Sequence, residues 1–160
     1  MDNLNYGIIG NCKSAALVSD RGSIDWCCLP VFDSASVFAK ILDEEKGGSL
    51  SFKLDDSYDI HQEYLWQTNI LTTTFDNGSD AFQVIDFMPR YKQQDGTFYM
   101  PPDIVRFIRI LKGKPTLRVH FDPKLKYAQG ETVIDNDGDY LHCKTTSGDY
   151  ESAFLYSDMN

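Results

Sequence analysis

The residues best equipped for chemistry gather in one stretch, "SIDWCCLPVFDSASVFAKIL", which runs from Ser23 to Leu42. Adjacent thiols, Cys27 and Cys28, stand beside Trp26 and raise the question of a catalytic or metal-binding loop. Spacing argues against the metal. Structural zinc sites draw on closely spaced cysteine or histidine pairs. Here Cys12, Cys27, Cys28 and Cys143 show no C-x-x-C pattern, and His61, His120 and His142 lie far apart. A bridge between vicinal cysteines would be badly strained. The thiols therefore read as reduced, buried small hydrophobes, and neither a metal nor a cofactor is expected.

The carboxylates give no better active site. Glycosidic hydrolysis needs two carboxyl groups held across a cleft, whereas Asp43-Glu44-Glu45 and Asp55-Asp56 are contiguous acids in turn-like segments. Asp86 interrupts the apolar "QVIDFMP" and is expected to be a strand-end carboxylate bonded to nearby backbone N–H groups. "DNDGD" (Asp135 to Asp139) superficially resembles a calcium loop. Such a loop needs glycine at its sixth position and a bidentate glutamate at its twelfth, but counting from Asp135 the glycine is fourth and the twelfth residue is Thr146. A hairpin turn fits better. Nucleophile elbows, phosphate-cradling loops and dinucleotide fingerprints are absent. The net charge of −9, with no Lys/Arg cluster, excludes nucleic acid as a natural partner but is indifferent to a neutral sugar. The start, "MDNLNYGIIGN", has neither the basic nor the apolar region of a signal peptide. No apolar run approaches the ~20 residues that span a bilayer. The expected location is the cytoplasm.

The elements that would position these residues are mostly strands. "SAALVS" and "SIDWCC" flank the turn "DRGS" as a hairpin. "SLSFKL" alternates Leu50, Phe52 and Leu54 with polar residues. "NILTTTF" and "AFQVIDFM" flank "DNGSD", whose Asn-Gly predicts a type I′ hairpin. "DIVRFIRIL" has the unrelieved apolar character of a central strand, and "TLRVHF", "ETVID", "DYLHCKT" and "SAFLYS" follow. Val37, Phe38, Ile41 and Leu42 recur at helical spacing after a potential cap at Asp33 or Ser34, which predicts one short helix over 34–43. "KGG" would end it. Arg90 to Pro102 reads as a surface loop. Without crossover helices, the class is all-β, mainly an antiparallel, supersandwich-like β-sandwich in a single domain.

Taken as a whole, "YGIIGNCKSAALVSDRGSIDWCCLPVFDSASVFAKILD" resembles the opening of the glucoamylase- and trehalase-like proteins of glycoside hydrolase family 15. Tyr6, Gly7, Ile9, Gly10, Asn11, Ala15 to Val18, Gly22 to Trp26, Cys28, Pro30, Phe32 to Ser34 and Phe38 carry the likeness. "YLWQTNILTTTF", "VIDFMP" and "LRVHFDPKLKYA" continue it in the family's order. Val31 stands where the family has a basic residue, and Ser14 where threonine is usual, so any contact made by that basic residue is missing.

The resemblance implies the first part of a non-catalytic N-terminal sandwich that packs against an inverting (α/α)₆-barrel, with the catalytic acid and base on the barrel and none in this chain. It also makes Asn11, Trp26, Pro30, Phe32, Asp33 and Ser34 candidates for the interface with that barrel or for the rim of its cleft. An alternative is a stand-alone carbohydrate-binding module stacking a glucan on Tyr64, Trp66 and Tyr99. A third is a scaffold that forms homo-oligomers through an open sheet edge.

Overall fold

A computed structural model describes residues 5–158. Nearly half of the chain is strand and all pairing is antiparallel, with no barrel closure. The expected hairpin of "SAALVS" and "SIDWCC" forms as β2 (Ala15–Ser19) against β3 (Ile24–Cys28), and β1 (Tyr6–Gly10), which the sequence reading did not anticipate, pairs with the other side of β2. With β4 (Ser36–Ala39), β5 (Ser49–Phe52) and a later strand, these make a six-stranded sheet.

Facing it is a four-stranded sheet of β6 (Asp59–Tyr64), β7 (Leu71–Asp76), β8 (Ala81–Phe87) and β11 (Val105–Lys112), in the order β11-β8-β7-β6. Between β8 and β11 a small ribbon, β9 (Tyr91–Lys92) and β10 (Phe98–Tyr99), gives the predicted surface loop a hairpin of its own. β12 (Val119–Asp122) returns to pair with β5. β13 (Thr132–Asn136), β14 (Tyr140–Thr145) and β15 (Ser152–Tyr156) form a third sheet, with "DNDGD" in the β13–β14 turn.

The core lies between the two larger sheets. Ile9, Ala16, Cys27 and Phe38 are cross-strand neighbours on the inner face of the six-stranded sheet and pack with Leu71 and Met88 from the opposite side. Further along, Phe75 and Phe82 stack at 4.6 Å between centroids, and Phe52 meets both edge-on. The sheets are also stapled by a buried ion pair. The Arg106 guanidinium grips Asp86 through Nε at 2.8 Å and Nη2 at 2.9 Å, and donates to the Leu50 and Gly22 carbonyls of the six-stranded layer. Asp86 is thus held by a cation and not, as expected, by backbone N–H groups.

Three further expectations fail for physical reasons. The helix over 34–43 does not form. Ser36 to Ala39 are all buried as β4, pairing Phe38 with Cys27, while Leu42 is exposed in the turn that follows. Two adjacent buried apolar residues, one on each face of the strand, followed by a turn mimic helical spacing. "KGG" serves that turn instead of a helix end: Gly47 donates to the Asp43 carbonyl at 2.8 Å, and a Cβ there would strike the Ala39 carbonyl. The "DNGSD" hairpin forms, but only Gly78 has positive φ, so the turn is not type I′. Asn77 closes it, its Oδ1 accepting from the Ser79 and Asp80 amides at 3.0 and 2.8 Å. Finally, β11 sits at a sheet edge and not in the centre.

Candidate functional site

Asn11 organises the end of the sandwich where the candidate loops lie. It is fully buried in the β1–β2 turn. Its Oδ1 accepts from the amides of Lys13 (3.0 Å) and Ser14 (3.1 Å), and its Nδ2 donates to the Pro101 carbonyl at 2.7 Å. An amide side chain is suited to this position because it accepts and donates at once. It also supports Cys12 in the left-handed region at φ 73°. Cys12 is exposed, contrary to the expectation of a buried thiol.

The 29–34 loop is hung from the same turn. The Ser14 hydroxyl donates to the Cys28 carbonyl, and the Phe32 amide donates to the Lys13 carbonyl at 2.9 Å. Ser34 closes the loop on itself, its amide donating to the Val31 carbonyl and its hydroxyl accepting from the Val31 amide. Pro30 follows a cis peptide bond. This fixed backbone carries Phe32 outward, with 62% of its surface exposed and Pro30, Val31 and Asp33 exposed around it.

Of the alternative sugar-stacking set, Tyr64 uses its hydroxyl to satisfy the open edge of β1, accepting from the Ile8 amide at 2.7 Å and donating to the Ile8 carbonyl at 3.0 Å. The Asn69 amide side chain donates to the Gly10 carbonyl. Together these tie the β6–β7 loop to β1 and leave Trp66 at its tip 87% exposed. Tyr99 packs against Tyr91 at 5.1 Å. Among the described residues no ring contact joins Tyr64, Trp66 and Tyr99 into one platform, but hydrogen bonds link their loops to the turn that holds Asn11.

Trp26 belongs to a different surface. It lies on the outer face of the six-stranded sheet, opposite Leu17, which in turn lies opposite Ile8. Tyr127 extends this apolar row, its ring 6.0 Å from that of Trp26 at 46°. The tyrosine is held there by an unusual backbone. Lys126, Tyr127 and Ala128 take consecutive φ values of 57°, 57° and 56°, at a cost of ~1–2 kcal/mol for each non-glycine residue. The Tyr127 amide donates to the Ser36 hydroxyl at 3.2 Å, and the Leu125 amide to the Thr132 hydroxyl at 3.1 Å. A sequence reading could have found Tyr127, since it closes the matched stretch "LRVHFDPKLKYA".

The doubled cysteines are chemically quiet. Burial pushes the Cys27 thiol up to about 12, and burial also raises Cys28. Neither is then a thiolate at neutral pH, the form needed for attack or metal ligation. Cys28 Sγ lies 3.9 Å from the Tyr127 hydroxyl, which this contact holds above its ordinary value. Near the start of β3, Asp25 is buried and accepts from the hydroxyls of Tyr6 (3.0 Å) and Ser23 (2.5 Å). Burial and the Asp25 charge raise the Tyr6 hydroxyl to about 12. Beside this pair opens a hollow of about 690 Å³, walled in part by Lys40, Asp43, Glu44 and Lys53. The histidines sit on β6, β12 and β14, in three different sheets. Among the described residues no helix is long and apolar enough to cross a membrane.

Comparison with known proteins places this arrangement. The family described as "Trehalase-like, N-terminal" matches residues 5–156. A trehalase of Thermoplasma volcanium is 36% identical over 135 residues, covering 82% of this chain and 21% of that protein. A trehalase of Thermoplasma acidophilum is 36% identical over 121 residues, covering 74% and 20%. Trehalase 1 of Sulfolobus acidocaldarius is 42% identical over 83 residues, covering 52% and 14%. The chain thus spans about one fifth of the length of the first two trehalases. No solved structure matches it. The chain belongs to the trehalase-like N-terminal domain family.

Proposed function

We propose that this chain is the non-catalytic N-terminal sandwich of a trehalase- or glucoamylase-like hydrolase of glycoside hydrolase family 15. In this reading it seats an inverting α-glucosidase barrel on the outer face of its six-stranded sheet and offers the 29–34 loop to the rim of the cleft. One observation carries the reading: the apolar row Ile8–Leu17–Trp26–Tyr127 stands on the outside of a sheet whose inner face is already filled. Half-buried apolar side chains on a rigid surface gain most from further burial. The named relatives, each a trehalase far longer than this chain, support the same assignment and point to a glucoside substrate. The absence of any disulfide among the described cysteines supports a reducing compartment, the cytoplasm.

The test is a chimera in which this chain replaces the matched segment of the Thermoplasma volcanium trehalase. The isolated chain should release no glucose from trehalose or maltose, and the chimera should hydrolyse trehalose. Trp26→Ala should lower the melting temperature of the chimera by several degrees more than that of the isolated chain. Glucose release by the isolated chain, or an equal effect in both settings, would overturn the proposal.

A further inference from the structure

β11 carries a central strand's sequence at a sheet's edge. On one side it pairs with β8 from Val105↔Phe87 to Lys112↔Ala81, and among the described residues no strand pairs with its other side. Its side chains are correspondingly bare: Phe107 is 57% exposed, and Ile110 and Leu111 are also exposed. Natural edges are usually short, charged or covered, because unpaired N–H and C=O groups recruit other strands. This one is the longest strand in the molecule. Its three charges are engaged on their own side of the molecule, Arg106 with Asp86, Arg109 with the Gln83 side-chain carbonyl at 2.8 Å and Lys112 with the Gly78 carbonyl, and a bulge lies between Ile110 and Lys112, near its end.

We propose that β11 is a self-pairing edge, through which two copies of this chain join their four-stranded sheets about a two-fold axis at Ile108. The geometry selects the register. A two-fold antiparallel pairing must put inward residues opposite inward residues, since a one-residue slip would turn every side chain to the wrong face. Arg106, Ile108 and Ile110 point inward with their partners Asp86, Val84 and Phe82 on β8, leaving Phe107 and Arg109 outward. Centring the axis on Arg109 would set like charges directly opposite one another. Centring it on Phe107 would leave the end of the strand unpaired. With Ile108 on the axis the strand pairs from Val105 to Leu111, and each Arg109 lies opposite Phe107 of the second copy. An arginine over an aromatic ring is a favourable cross-strand pair. The interface is isologous and closes as a dimer. This inference rests on the sheet edge and is independent of the docking face proposed above.

Sedimentation velocity of the full chain over a range of concentrations tests it, with circular dichroism to confirm that each variant folds. The unaltered chain should dimerise. F107K sets two like-charge pairs across the axis and should weaken the dimer about tenfold. F107E places a carboxylate opposite each Arg109 and should bind at least as tightly as the unaltered chain. The double variant F107K/R109E should recover what F107K loses. A chain that stays monomeric, or an equal loss in F107E and F107K, would overturn the proposal. The second outcome would mean apolar association without this register.

Discussion

Phe52, Phe75 and Phe82 meet between two sheets, whereas Trp26 and Tyr127 meet outside one of them. Both groups bring aromatic rings together at 4.6–6.1 Å. The inner group is nearly closed: Phe75 and Phe82 have no exposed surface, Phe52 is half-buried, and Tyr58 and Leu54 pack against them. The outer group is open, and a strained left-handed run holds one member of it in place. Conformational cost concentrated where packing is incomplete is the usual mark of a surface shaped for something other than the fold's own stability. The inner cluster should therefore set the stability of the isolated chain and the outer one its behaviour with a partner.

The sharpest way to break the comparison is Phe82→Ala. Removing a stacked, fully buried ring leaves a cavity between the sheets and should cost about 4 kcal/mol in urea unfolding. If Trp26→Ala cost as much in the isolated chain, the division between an inner structural cluster and an outer docking one would fail. Next comes Asp86→Asn, which leaves the Arg106 charge in a buried site without its counter-ion and should cost about 3 kcal/mol. A loss below 1 kcal/mol would show water reaching the guanidinium in solution.

Alkaline unfolding gives a smaller, graded effect. Tyr6 titrates at about 12 in the fold against 10 ordinarily, and Cys27 at about 12 against 9. Because the folded values are the higher ones, each group's contribution is complete below its ordinary value and is lost as pH climbs towards 12. Stability measured by chemical denaturation should fall from pH 9 to 12. Tyr6→Phe should flatten the upper part of that fall while costing about 1 kcal/mol at neutral pH for the lost bond to Asp25. An unchanged slope in Tyr6→Phe would refute the role given to Tyr6.

The same contrast between regions decides what the sequence could reveal. Alternation exposed ten of the fifteen strands, since period-two burial is a local property: Leu50 and Phe52, or Phe82 and Val84, announce their inward face by themselves, whereas β1, β6, β9 and β10 escaped it. The 34–43 segment was illegible because Val37 and Phe38 in a strand, followed by a turn, space apolar residues as a helix does. β11 was misplaced because an edge is a fact of topology that composition does not encode. The Arg106–Asp86 staple needed two strands read together, each with one charge at an inward position. The loop end depended on bonds between residues distant in sequence, such as Asn11 to Pro101 and Asn69 to Gly10. Motif likeness pointed to Asn11 and Phe32 without showing that one holds the other's loop.

That relation between holder and held gives the smallest effect, and the one most specific to the proposed site. Phe32 is mostly exposed, and its position is fixed by backbone bonds to Lys13 and within the loop, not by its ring. Phe32→Ala should therefore change the stability of the isolated chain by less than about 0.5 kcal/mol, as surface substitutions do. Asn11→Ala should cost more, since it leaves the Lys13 and Ser14 amides and the Pro101 carbonyl without their partner. In the trehalase chimera the order should reverse for catalysis if the ring itself reaches the rim of the cleft: Phe32→Ala would lower kcat/KM with the melting temperature unchanged. A loss in Phe32→Ala that tracks melting temperature would assign the ring to packing and detach the 29–34 loop from the substrate.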